Sequence, residues 1–216
     1  MNLRMEDLVG IMLLAFGLGV LPMFVMTLTS FVKIVVVLTL VRNALGVQQV
    51  PSTMIINGLA VVLTLYVLAP VGFAVHAAAK RNTADTTTQR VLDAMDAARE
   101  PFRAFLARHA HEREREFFMR SAIAVWPREQ ADKLKSDDLL VLAPAFVVSE
   151  LTEAFRIGFL LYLAFIIVDL VIANVLVAMG LSQASPTNIA IPFKLLLFVV
   201  LDGWSALLHG LVNTYR

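Results

Sequence analysis

Seven ionisable side chains stand inside otherwise apolar runs of this chain: Lys33, Glu150, Glu153, Arg156, Asp169, Lys194 and Asp202. A charge at the centre of a bilayer costs at least ~2.5–3.5 kcal/mol, so each of these should face protein or water and hold a partner. Two kinds of chemistry use such residues. An ion or proton relay strings acids and bases along a path, whereas structural pairing neutralises them where they stand. Pairing accounts for these residues without a transported ion. Glu153 and Arg156 are three apart and within reach along one helix. Counted outward from a turn near Ser182, Asp169 and Lys194 fall at similar depths on opposing arms, which predicts that they pair within a hairpin or between neighbouring copies. Lys33 lies one turn beyond Thr29 and Ser30 and completes a polar stripe on an apolar helix.

Other chemistry finds little support. His109 and His111 sit beside an alternating acidic and basic run, Glu112 to Glu116, but a zinc-protease helix needs two histidines four apart on one face, and these are two apart. A solvated surface is the reading for both, and a structural or interfacial role for His76 and His209 at helix ends. The chain has no cysteine, which excludes disulfides, iron–sulfur clusters and thiolate chemistry. No metal-ligand cluster, phosphate-cradling loop or nucleophile elbow is visible, so neither a cofactor nor an enzymatic activity is expected. With a net charge of +1 and no basic stripe interleaved with aromatics, nucleic acid is not an expected partner.

The elements that must position these residues are apolar helices. Hydrophobic residues make up 59% of the 216 and charged residues 16%, against about 25% charged in an ordinary soluble domain. The stretches Leu8–Val41, Met54–Ala79, Leu139–Met179 and Ile189–Val212 each exceed the ~20 residues that cross a bilayer. The first and third are too long for one simple crossing, because 34 helical residues would run roughly 50 Å through a core of about 30 Å. Gly17, Gly19 and Pro22 in the first stretch and Pro144 in the third are the expected breaks. Arg4 ahead of Leu8–Leu21 has the look of a signal peptide, but no small-residue cleavage pattern follows, so an uncleaved membrane element is expected.

Short connections at Arg42–Pro51 and Gly180–Thr187 fold the stretches into two hairpins. Between them, residues 80–138 hold 23 of the 35 charged residues. In this insert Val91, Met95, Ala98, Phe102 and Phe105 recur at helical spacing, Pro101 is expected to start or kink a helix, and Arg108–Glu112 and Glu116–Arg120 are four-residue pairs. The expected fold is all-α: a first apolar hairpin over 1–79, a polar helical insert over 80–138 and a second apolar hairpin over 139–216.

Longer motifs then carry a resemblance. Ser30-Phe31-Val32-Lys33-Ile34, Arg42-Asn43-Ala44-Leu45-Gly46-Val47-Gln48-Gln49-Val50-Pro51 and Asn57-Gly58-Leu59-Ala60 are similar to the first hairpin of the SctR/FliP family. Pro101-Phe102-Arg103, Pro144-Ala145-Phe146, Ser149-Glu150-Leu151, Ala154-Phe155-Arg156-Ile157-Gly158-Phe159, Asp169-Leu170, Ser185-Pro186, Ile191-Pro192-Phe193-Lys194 and Asp202-Gly203-Trp204 extend it over nearly the whole chain. Members are inner-membrane export-apparatus components of type III secretion systems and flagella. The resemblance implies a non-enzymatic subunit without a cofactor, several copies of which, a pentamer by analogy, form a ring. With SctS-like and SctT-like subunits, and alongside SctU-like and SctV-like components, that ring makes the entry gate for unfolded secreted proteins. It also implies inclined hairpins partly raised from the bilayer, with the insert in the periplasm, although Lys80 and Arg81 at its edge would by charge count place it in the cytoplasm.

One departure bears on mechanism. Flagellar members often carry methionines in the last hairpin loop as a gasket around substrate, where this chain has Leu181, Ser182 and Gln183. Methionine packs against varied surfaces; Ser and Gln offer hydrogen bonds and a weaker apolar seal. We expect this loop to face the pore, and its polarity, together with the lack of a flagellar-type leader, favours an injectisome over a flagellum. The competing reading is an ion-coupled transporter, which should show broken helices at matching positions in its two halves; no such correspondence is visible.

Overall fold

The computed structural model describes residues 5–80, 87–181 and 183–216. Every regular element among them is helical: α1 (Met5–Thr27), α2 (Phe31–Leu45), α3 (Thr53–Ala79), α4 (Thr87–His109), α5 (Glu112–Val125), α6 (Arg128–Ala131), α7 (Leu139–Ala178), α8 (Pro186–Val200) and α9 (Gly203–Asn213). Two helices, α3 and α7, are each long and apolar enough to cross a membrane, and up to four spans result if α1 with α2 and α8 with α9 each count as one.

The breaks do not fall where the prolines and glycines suggested. The first apolar stretch is interrupted at Leu28–Ser30, and Pro22 sits inside α1. Hydroxyl chemistry explains the site. Thr29 Oγ1 donates to the Val25 carbonyl and accepts from the Phe31 backbone N–H at 3.3 Å, offering the backbone an alternative to the helix ladder. The third stretch is not broken: α7 runs 40 residues, roughly 60 Å. Pro144 lies in its second turn, where it removes one ladder bond and no more.

The fourth stretch breaks where no break was expected, at Leu201–Asp202, and the axes of α8 and α9 differ by 63°. Asp202 adopts a left-handed conformation with φ 48°, and Gly203 follows because a Cβ there would lie 2.4 Å from the Phe198 ring. In the insert, Pro101 stands within α4 and starts no new helix. Arg108 and Glu112 form no pair, because α4 ends at His109 and α5 begins at Glu112; Glu112 instead pairs with Arg115. Glu116 and Arg120 do approach, at 3.7 Å.

The chain forms two compact units, residues 1–32 with 64–150, and residues 33–63 with 151–216. In the first, α1 packs against α4, and α4 reaches the start of α7 through Phe105 and Phe146, whose ring centres are 5.7 Å apart. Of the expected apolar stripe on α4, Phe105 is buried, Ala98 and Phe102 are half-buried and Met95 is exposed; the Val91 side chain is outside the described set. His111 donates its backbone N–H to Ser149 Oγ at 2.9 Å, which ties the start of α5 to α7.

The second unit has a core of Ile34, Val37, Leu38, Val41, Ile56, Ala60, Ala154 and Phe165. Helix α2 meets α7 closely at Gly158, where an added Cβ would lie 2.3 Å from Leu40 Cδ1. Phe165, Phe198 and Trp204 then meet in succession, the first pair tilted with centroids 6.4 Å apart and the second edge to face at 5.3 Å.

Candidate functional site

The most strongly organised polar group lies in the second unit, where α2 ends. A helix leaves its last four carbonyls without intrahelical donors, and its C-terminus attracts cations. Helix α2 stops at Leu45 because Gly46 takes φ 77°. Helix α8 comes close at that point: Ile191 Cγ1 would be 3.0 Å from a Cβ on residue 46. One turn further along α8, Lys194 projects inward and is only 5% exposed. Its ammonium donates to Asp169 Oδ2 on α7 at 2.6 Å and to the Ala44 carbonyl on α2 at 3.0 Å. One lysine thus joins three helices. Asp169 keeps a side chain 42% exposed, so the pair has one dry partner and one that reaches the surface.

Lys33 forms a second cationic contact in the same unit. It is 3% exposed, donates to Thr214 Oγ1 at 3.4 Å and sits 4.2 Å from the centre of the Tyr215 ring. Cation and ring attract through the ring quadrupole. Glu153 and Arg156 lie 3.7 Å apart and are considerably more exposed, which makes their pairing weak. Glu150 is buried in the first unit at 2% exposure. Asp202 joins none of these groups; it is exposed, and its carbonyl caps α9 by accepting from Ala206 N–H at 3.0 Å.

The loop after α7 has a defined cap. Gly180 takes φ 75°, its N–H donates to the Val177 carbonyl at 3.0 Å, and Leu181 N–H donates to the Leu176 carbonyl at 2.9 Å. This is the Schellman arrangement, and it fixes where Leu181 leaves the helix. Leu181 is 46% exposed and Gln183 is exposed; Ser182 lies outside the described residues.

Elsewhere, Arg103 pairs with Glu100 and Asp137 on the insert, and its guanidinium holds the Glu100 carboxyl below the usual carboxylate range. His109 packs against the Phe105 ring at 4.9 Å. No group of three metal-ligating side chains occurs among the described residues. The charges are therefore held in place by packing and partner atoms. Around them, large apolar side chains such as Phe16, Phe73, Phe159 and Val199 are exposed, more than a water-soluble monomer presents.

This pattern of apolar hairpins stapled by sparse charges can be compared with known proteins. The FliP family model matches residues 13–211. The chain belongs to the FliP family. A "Pathogenicity-related ORF2" of Xanthomonas campestris pv. glycines is 60% identical over 216 residues, covering 99% of this chain and 100% of that protein. The "Hypersensitivity response secretion protein HrcR" of Ralstonia nicotianae is 58% identical, covering 97% and 98%. The "Yop proteins translocation protein R" of Yersinia pestis is 49% identical, covering 99% of each. The chain is thus a membrane protein of the type III secretion export apparatus. The matched segment includes all seven ionisable positions and the loop at 181–183, while Thr214 and Tyr215 fall just past its end.

Sequence reasoning found the residues that carry charge and missed their uncharged partners. The Ala44 carbonyl had a signal: Gly46 marks a helix end, and helix ends carry orphan carbonyls. Thr214 and Tyr215 had none, since they lie 181 and 182 residues from Lys33 and belong to no repeating pattern.

Proposed function

We propose that this FliP-family chain is a structural, non-enzymatic subunit of a type III secretion export gate, and that several copies form a ring around the conduit for unfolded proteins. The observation that carries the reading is family membership across 13–211 combined with apolar side chains left exposed on nearly every long helix. A subunit that ends its folding with this much bare surface needs lipid and neighbours to cover it. SctS-like and SctT-like subunits are the proposed lateral partners, with SctU-like and SctV-like components nearby. The proposed location is the bacterial inner membrane, with residues 80–138 facing the periplasm.

Within the ring, the Lys194–Asp169–Ala44 junction keeps three helices in fixed register, and the loop at Leu181, Ser182 and Gln183 faces the pore. The family resemblance carries this assignment of the loop; the Schellman cap sets only the point at which Leu181, which is exposed, leaves α7. Photo-crosslinking groups placed at positions 181 and 183 should capture a secreted protein stalled during export. Capture at exposed Phe159 on α7 and none at the loop would contradict the pore assignment.

A further inference from the structure

The loop joining α2 to α3 encloses a polar hollow of about 550 Å³ whose lining includes Arg42, Asn43, Gln48, Gln49, Ser52 and Thr53. The one charged residue of its lining is Arg42. No Asp or Glu occurs from Leu8 to Ala84, and among the described residues no carboxylate pairs with Arg42. The guanidinium is also oriented. Its Nη1 group donates to the Pro51 carbonyl at 3.3 Å and to Thr53 Oγ1 at 3.2 Å. A guanidinium has five N–H donors, so these two bonds leave the Nε–Nη2 edge, the edge that grips a phosphate through two parallel hydrogen bonds.

Beside the hollow the surface turns hydrocarbon. Val50 is 67% exposed, Met54 86% and Val62 63%. Met54, Gly58 and Val62 follow one another at four-residue spacing along α3, and an added Cβ on Gly58 meets nothing within 4 Å. They make a shallow trough that leads away from the polar end of a membrane-length helix.

We propose that this loop and trough bind one anionic phospholipid, its phosphate on the free edge of Arg42 and an acyl chain along Met54, Gly58 and Val62. A single molecule with an anion at one end and hydrocarbon at the other matches both surfaces. A free phosphate would leave the trough bare, and a zwitterionic lipid would bring a second cation to an already cationic hollow.

The test uses the full chain in mild detergent, offered equal amounts of phosphatidylglycerol and phosphatidylcholine and read by native mass spectrometry. The wild type should retain phosphatidylglycerol preferentially. Arg42→Gln should cut that preference about tenfold, the scale of a lost charge-assisted hydrogen bond. Arg42→Lys should fall between, because an ammonium lacks the two-pronged edge. Gly58→Leu, which fills the trough on a helix that tolerates leucine, should lower retention of both lipids and keep the preference. Equal retention of the two lipids by the wild type, or an unchanged preference in Arg42→Gln, would overturn the proposal. So would displacement of the lipid by millimolar inorganic phosphate, which would mark a simple anion site. Lipid on the monomer but absent from higher oligomers would assign the face to a second copy and overturn it as well. If Arg42→Gln does not fold, Gly58→Leu decides: an unchanged lipid count sinks the idea.

Discussion

At the scale of single residues, the sequence betrays a buried charge more readily than the atom that satisfies it. Asp169 and Lys194 stood out because ionisable groups are costly in apolar helices, and their matched depth followed from counting residues along two arms of a hairpin. The third participant, the Ala44 carbonyl, carries no side-chain signature, yet it changes what mutation should do. Asp169→Asn leaves a nearly dry ammonium with two neutral acceptors, the new amide oxygen and the Ala44 carbonyl, and no countercharge, and thermal denaturation in detergent should show a loss of about 1.5–3 kcal/mol, the range for a hydrogen bond to a charged group. Exchanging the two residues, Asp169→Lys with Lys194→Asp, should recover only part of this, because a carboxylate at 194 would face the Ala44 carbonyl oxygen. The neutral pair Asp169→Asn with Lys194→Met removes the buried charge and should recover more. Full recovery in the swapped pair would show that the carbonyl contact contributes nothing.

At the scale of elements, helix identity was legible and helix continuity was not. Hydropathy located every long apolar helix, because a membrane solvent demands runs of that kind. The interruptions were misread because proline and glycine are only one way to end a helix. A threonine hydroxyl turns the chain at Leu28–Ser30, and a left-handed aspartate next to Gly203 turns it at Leu201–Asp202. Pro22, Pro144 and Pro192 all sit inside helices. Gly158 and Gly180, like Gly46 and Gly203, do set element geometry. Gly158→Ala should force Leu40 out of its rotamer where α2 meets α7 and cost ~1–3 kcal/mol, the usual range for overpacking. Gly180→Ala meets open space, so its cost of about 1–2 kcal/mol should come only from holding a Cβ at positive φ. Calorimetry of the two variants separates these sources: adding Leu40→Ala should rescue the first and leave the second unchanged.

At the scale of the whole molecule, family membership rests on a match over residues 13–211, and it was readable because motifs such as Arg42–Pro51 and Ile191–Lys194 specify residues that hydropathy alone does not. The partition into two compact units was less legible, since α3 and α7 each supply residues to both and no composition change marks the crossover. Gate behaviour adds a prediction at this scale. If Leu181 narrows the conduit, Leu181→Gly should raise ion leakage through the assembled gate in planar bilayers, whereas unchanged conductance would reduce 181–183 to an ordinary turn. The central claim, that these hairpins exist to close on copies of themselves, is tested most directly by imaging the complex purified in mild detergent after co-expression with the proposed SctS-like and SctT-like subunits. A ring of several copies enclosing a central channel is the predicted result. A monodisperse single chain, spanning lipid on its own and carrying a solute when reconstituted, would contradict the account.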